Sequence, residues 1–161
     1  MAEMRAAVFF AVYGLLGASP QDAFERMKSL AGEWEADLPG FGKMSDSIRL
    51  VSNGKAIEET TGTPADNEIS IYTRADDRIL LTHFCAMTAD GHVARLETGP
   101  LNGAQERLRF VFTGATNLRN NAAPHMRLVA MTFTDHDHFS EKWTKTENGK
   151  DTVFELQWVR R

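Results

Sequence analysis

Four Asx-Gly pairs, Asn53-Gly54, Asp90-Gly91, Asn102-Gly103 and Asn148-Gly149, punctuate the 161-residue chain. Both central residues of a type I′ turn need positive φ, which Asn, Asp and Gly tolerate best, so each pair reads as the tip of an antiparallel hairpin. Between and around them lie short alternating runs of strand length, rich in β-branched and aromatic residues. They are Ser47 to Ser52, Ala56 to Thr61, Ile69 to Arg74, Ile79 to Cys85, Val93 to Thr98, Leu108 to Thr113, Met126 to Thr134, Phe139 to Lys145 and Thr152 to Arg160. With the stretch around Trp34 they make about ten strands. No second helical region follows to cover a sheet face, so the meander is most economically satisfied by closing on itself and removing its exposed edges. The expectation is an all-β fold, a single up-and-down antiparallel β-barrel, with a two-sheet sandwich as the alternative.

The amino terminus has a different character. Ala6 to Leu16 is an uncharged apolar run that follows Arg5 and precedes the small residues Gly17, Ala18 and Ser19. It has the length of a signal-peptide core and is too short to span a bilayer. Residues 1–19 therefore read as a signal peptide and 20–161 as the barrel domain, which places the mature protein in the periplasm or outside the cell, with no integral membrane segment. The alternatives are a retained anchor, or a helix packed on a cytoplasmic domain. From Asp22 the spacing turns helical, and Phe24, Met27 and Leu30 share one face of a short helix.

Charge and cysteine content narrow the function classes. Eighteen basic against twenty-two acidic side chains give a net charge of −4, a poor field for nucleic acid. A single cysteine, Cys85, forms no internal disulfide, and no CxxC pattern or Cys/His ladder suggests structural zinc.

A short helix leading into Gly32-Glu33-Trp34, with Arg160 and Arg161 ending the last strand, resembles the lipocalin-like (calycin) pattern. The resemblance implies a Trp near the closed end packed under a basic residue of the final strand, and so structural roles for Gly32, Trp34 and Arg160. More of the body resembles a bacterial family of uncharacterised small lipocalin-like proteins, often carrying signal peptides. The matching segments are Leu30 to Trp34, Glu59-Thr60, Leu81 to Cys85, Ala115 to Leu118, His125-Met126 and Trp143-Thr144. The chain departs from that family after Cys85, where Ala86 to His92 replaces an Asn-Gln-Pro turn, and at Arg127, where a second histidine is expected. The lid of intracellular fatty-acid-binding proteins does not fit between the first two strands, separated by Asp37 to Ser45.

Strand alternation nominates the candidate site. In Ile79 to Cys85 both parities carry apolar residues, so either Leu81, His83 and Cys85 or Leu80, Thr82 and Phe84 face the lumen. An inward His83 could meet Glu59, which shares a face with Ile57; a buried carboxylate needs such a donor. Glu59, His83 and His125 are thus candidate polar anchors of a ligand pocket, or members of a network that only closes the core. Phe110, Phe112 and Trp143 are candidate wall residues, and Asn117 either caps the mouth or holds its own turn. Asp135-His136-Asp137-His138 is metal-like in composition but falls where two strands must connect, so it reads as a polar turn with no metal. Cys85 reads as a buried thiol rather than a nucleophile.

These residues point to non-catalytic binding of a small, largely apolar molecule inside the barrel, without a cofactor. One alternative is an enzyme using Glu59 and His83 as an acid-base pair. Another is a haem-binding, nitrobindin-like barrel, although Gly32-Glu33-Trp34 lacks the Gly-x-Trp-x-Gly-x-Gly start of that group. A module with a filled interior is a further one.

Overall fold

A computed structural model describes residues 20–63, 66–85, 92–101, 105–120 and 122–161. The leader assigned to residues 1–19 and the Asp90-Gly91 and Asn102-Gly103 turns lie outside the described residues.

The described chain is one helix and ten strands. Helix α1 (Pro20–Lys28) is followed by β1 (Gly32–Leu38), β2 (Gly42–Val51), β3 (Ala56–Thr63), β4 (Asp66–Ala75) and β5 (Arg78–Phe84). Then come β6 (Val93–Thr98), β7 (Arg107–Ala115), β8 (His125–Phe133), β9 (His138–Glu147) and β10 (Lys150–Arg160). Each strand pairs antiparallel with its neighbours in sequence, and β1 pairs with β10, so the sheet closes into an up-and-down barrel. The sandwich alternative is excluded. The expected strands all form, most of them longer than the apolar alternation alone shows. β2 begins at Gly42 rather than Ser47 and β7 runs to Ala115, because polar residues such as Lys43, Ser45 and Thr113 occupy outward or rim positions at no packing cost.

Turn chemistry closes the hairpins as expected where it is described. Asn148 and Gly149 take φ of 50° and 73°, the left-handed pair that joins β9 to β10. Asn53 and Gly54 are also left-handed, but Ser52 joins them, and the connection is a wider 3₁₀ turn closed by Lys55 N–H to Ser52 C=O at 3.2 Å. The Asp135 to His138 stretch connects β8 to β9 on the surface, its histidines bonded locally to Asp135 and Asp137.

The two ends of the barrel differ. At one end α1 lays Phe24 and Met27, with Leu30 just beyond it, onto the core, all three buried. There Trp34 is fully buried, its indole N–H donating to Leu30 C=O at 2.8 Å, and the Arg160 guanidinium lies 4.1 Å from its ring centroid. The guanidinium also donates to Ala31, Ser29 and His136 carbonyls, which ties helix, first strand and last strand into one plug. Among the described residues no helix is long and apolar enough to cross a membrane.

Candidate functional site

Alternation sends Ile57 and Glu59 of β3, Ser70 and Tyr72 of β4, and Ile79, Leu81 and His83 of β5 into the interior, where all are buried. The parity of β5 is thereby settled: Phe84 is half exposed and His83 is inside. Below the open end, three acids meet in the interior, Asp46 on β2, Glu59 on β3 and Glu141 on β9, each at most 1% exposed. No arginine or lysine accompanies them among the described buried residues.

Neutral donors hold this cluster. The Tyr72 hydroxyl donates to Glu59 Oε2 at 2.6 Å. Thr61 donates to Asp46 Oδ1 at 2.9 Å. The indole N–H groups of Trp143 and Trp158 both donate to Glu141 Oε2, at 3.2 and 3.1 Å. Burial raises all three carboxyl pKa values, and the proximity of Glu141 raises those of Asp46 and Glu59 further, against the opposing hydrogen bonds. Protonated acids resolve the arrangement physically: Glu59 Oε1 and Glu141 Oε1 lack any other donor, and the two side chains lie within hydrogen-bonding reach of one another. Tyr72 is likewise held in its neutral form, chiefly by burial.

Glu59 and His83 do not form the direct pair that the sequence suggests. Glu59 registers opposite Ser70, and Ser70 opposite His83, so the two candidates sit two strand spacings apart, about 10 Å. Ser70 bridges them: its Oγ lies 3.1 Å from His83 Nδ1, and its side chain also bonds Glu59. The His83 ring packs 4.7 Å from Trp143. Burial, with the nearby His92 second, lowers the His83 pKa from 6.5 to about 4, so the ring is neutral.

Above this row, toward the end opposite the helix, a cavity of about 170 Å³ opens. Leu38, Met44, Met126, Trp143 and Leu156 give it an apolar wall, and Ser70, His83 and Glu68 supply polar atoms on one side. Of the candidates read from sequence, His83 and Trp143 line it. Glu59 lies deeper, in the acid cluster. Phe110 is packed in the core, 5.5 Å from Tyr72, and Phe112 stacks on His125 at 4.5 Å. The His125 Nδ1 pairs with Ala123 C=O at 2.8 Å, and its neighbour Met126 takes the cavity position because a bulge at Arg127 lets both residues face inward. Asn117 is exposed and adopts a left-handed φ of 59° in the turn that follows β7.

Asp46 and Glu141 are legible as acids inside apolar alternations, between Met44 and Ile48 and between Phe139 and Trp143, yet nothing in the sequence alone says that they converge. Glu68 is less visible, since it precedes the apolar run of its strand.

Fold and site together define a closed, ten-stranded antiparallel barrel that fits a calycin-like architecture, plugged at one end and hollow near the other. Among known protein families no match is found, nor is there one among curated proteins. A solved structure does match: a protein of unknown function from the DUF3598 family of Nostoc punctiforme PCC 73102, at 12% identity and a TM-score of 0.55. The likeness covers 84% of this chain and 48% of that one, so the chain spans about half that protein's length. It is a likeness of fold alone.

Proposed function

We propose that the barrel is a lipocalin-like carrier or receptor that binds a small, largely apolar molecule without transforming it. The observation that carries this reading is the cavity itself, walled by Leu38, Met44, Met126, Trp143 and Leu156 with its polar atoms on one side. Its volume is close to that of cavities that take a single aromatic ring, which sets the ligand size and is too small to enclose a haem. An apolar wall supplies affinity and a few fixed polar groups supply orientation. The separation of Glu59 from His83 by Ser70 favours this reading over acid-base catalysis by that pair. The apolar run at residues 6–16 supports export, so the carrier would work in the periplasm or outside the cell.

Calorimetric titration with toluene and with p-cresol tests the proposal. Both should bind one per chain, p-cresol more tightly because its hydroxyl meets the polar side, and Met44→Trp should weaken both at least tenfold by filling the cavity. Binding unaffected by that substitution would refute the assigned site.

A further inference from the structure

We propose that Glu68, His83 and Cys85 form a divalent-metal site in the cavity wall, with zinc the best-matched ion. Cys85 and Glu68 meet because the β4–β5 hairpin pairs Ile69 with Phe84, which places the flanking residues Glu68 and Cys85 opposite one another. His83, two residues before Cys85, shares its inward face. One donor atom from each of the three lies within 4.8 Å of the others.

The separations are compatible with a metal shared by the three groups, the two shortest being made to the two oxygens of the Glu68 carboxylate. His83 Nε2 stands 3.5 Å from Glu68 Oε2, and Cys85 Sγ stands 3.5 Å from Glu68 Oε1. Tetrahedral zinc with ordinary Zn–N, Zn–O and Zn–S bonds sets its ligand atoms about 3.3 to 3.6 Å apart. The histidine contact is long for a hydrogen bond to a carboxylate, whereas the Cys85 thiol donates to Glu68 at an ordinary S–H···O distance, a bond that a metal would replace on deprotonating the thiol.

A second, independent observation points to a ligand here. His83 is 1% exposed and its Nε2 has no hydrogen-bond partner. Its other nitrogen is engaged by Ser70 Oγ at 3.1 Å, which fixes the ring so that Nε2 faces the carboxylate and the thiol. A buried imidazole held by one nitrogen, with the other directed at two further donors, is the arrangement of a metal-ligating histidine. The donor set of imidazole, thiolate and carboxylate suits zinc, with cobalt(II) as its spectroscopic substitute. Glu68 and His83 also line the cavity, so the fourth coordination position opens toward it, as in sites that keep a place for water or a ligand. Ser70 acts as a positioning residue.

The test uses the full chain, stripped with chelator and titrated with cobalt(II) and then zinc(II). One cobalt per chain should bind, with a thiolate-to-cobalt charge-transfer band that zinc abolishes. Cys85→Ser should remove the band, His83→Gln and Glu68→Gln should each weaken binding at least tenfold, and Ser70→Ala should weaken it by roughly ten- to a hundredfold while leaving the band in place. X-ray absorption at the zinc edge of the wild-type protein makes the test independent of whether any variant folds: it should show one sulfur at about 2.3 Å with nitrogen and oxygen ligands. Absence of a thiolate band at saturating cobalt, or of sulfur in the zinc spectrum, overturns the proposal. Binding that survives both Cys85→Ser and His83→Gln would place the metal elsewhere and overturn it equally.

Discussion

Removing the Arg160 side chain should cost the barrel a large part of its stability, and the structure gives the amount. The guanidinium stacks 4.1 Å from the Trp34 centroid, and a partly desolvated cation on an indole contributes about 1 kcal/mol. It also donates to three backbone carbonyls, Ala31 at 3.0 Å, His136 at 3.1 Å and Ser29 at 3.2 Å, each contributing about 1 kcal/mol net. The contact with Asp137 at 3.4 Å adds little, because that carboxylate is 60% exposed and screened. Arg160→Ala should therefore lose about 4 kcal/mol in urea unfolding followed by tryptophan fluorescence, or roughly 10 °C in Tm. Arg160→Lys should recover no more than about 1 kcal/mol, since an ammonium cannot reach three carbonyls while lying flat on the ring. The neighbouring glycine supplies an internal check. A Cβ at Gly32 would sit 2.5 Å from the Arg160 Nη1, at a φ of 148° that L residues avoid. Gly32→Ala should thus be less damaging in the Arg160→Ala background, where only the backbone strain remains. A loss below about 1 kcal/mol for Arg160→Ala, or a lysine variant as stable as wild type, would show that the guanidinium does not hold the plug together.

Two further predictions concern the interior. In metal-free protein His83 titrates near 4 when folded and near 6.5 when unfolded, so the unfolded chain binds more protons as pH falls between those values. Stability should drop by about 3 kcal/mol across that window on account of His83, and His83→Gln should flatten the profile; denaturant curves from pH 7 to 4 measure it. The buried acids act in the opposite sense, their raised folded pKa values stabilising the protein at low pH and losing that contribution as pH rises above the usual carboxylate range. Glu141→Ala should cost about 2 to 4 kcal/mol in the same assay, because two buried indole N–H groups lose their acceptor, whereas Glu141→Gln retains one and should cost less than half as much.

The barrel is legible in the sequence because its determinants are local. Alternation gives the strands, Asn-Gly gives turns such as that at Asn148-Gly149, and a meander of about ten strands with little helix to cover a sheet face is most economically satisfied by closure. The packing of Phe24, Met27 and Leu30 follows from helical spacing alone. The site is legible only in part, because it depends on register. Strand β5 carries apolar residues on both faces, Leu80 and Phe84 against Ile79 and Leu81, and only closure of the barrel decides which face is inside. Glu59 faces inward with Ile57, as alternation requires, but its partner is Tyr72 rather than His83, since Ser70 occupies the strand between them. The meeting of Glu68 with Cys85 depends on the Asp76-Asp77 turn, where Asp76 adopts φ of 39°; one residue of slip would send Glu68 to the outer wall. His125 and Met126 both face inward only because of a bulge, a feature that simple alternation cannot foresee.

If the open end of the barrel receives a small apolar molecule, the ligand must touch the side chains that wall the cavity. Methyl-resolved NMR of the protein titrated with p-cresol observes this contact, because Leu38, Met44, Met126 and Leu156 each place methyl groups around the cavity. Saturable shifts should concentrate on those four residues, with contacts from the ligand ring to Trp143 and no change at Phe24, Met27 or Leu30 on the plugged end. Shifts absent at millimolar ligand, or spread over the outer wall at Leu50, Val111 and Val153, would rule out a ligand in the barrel.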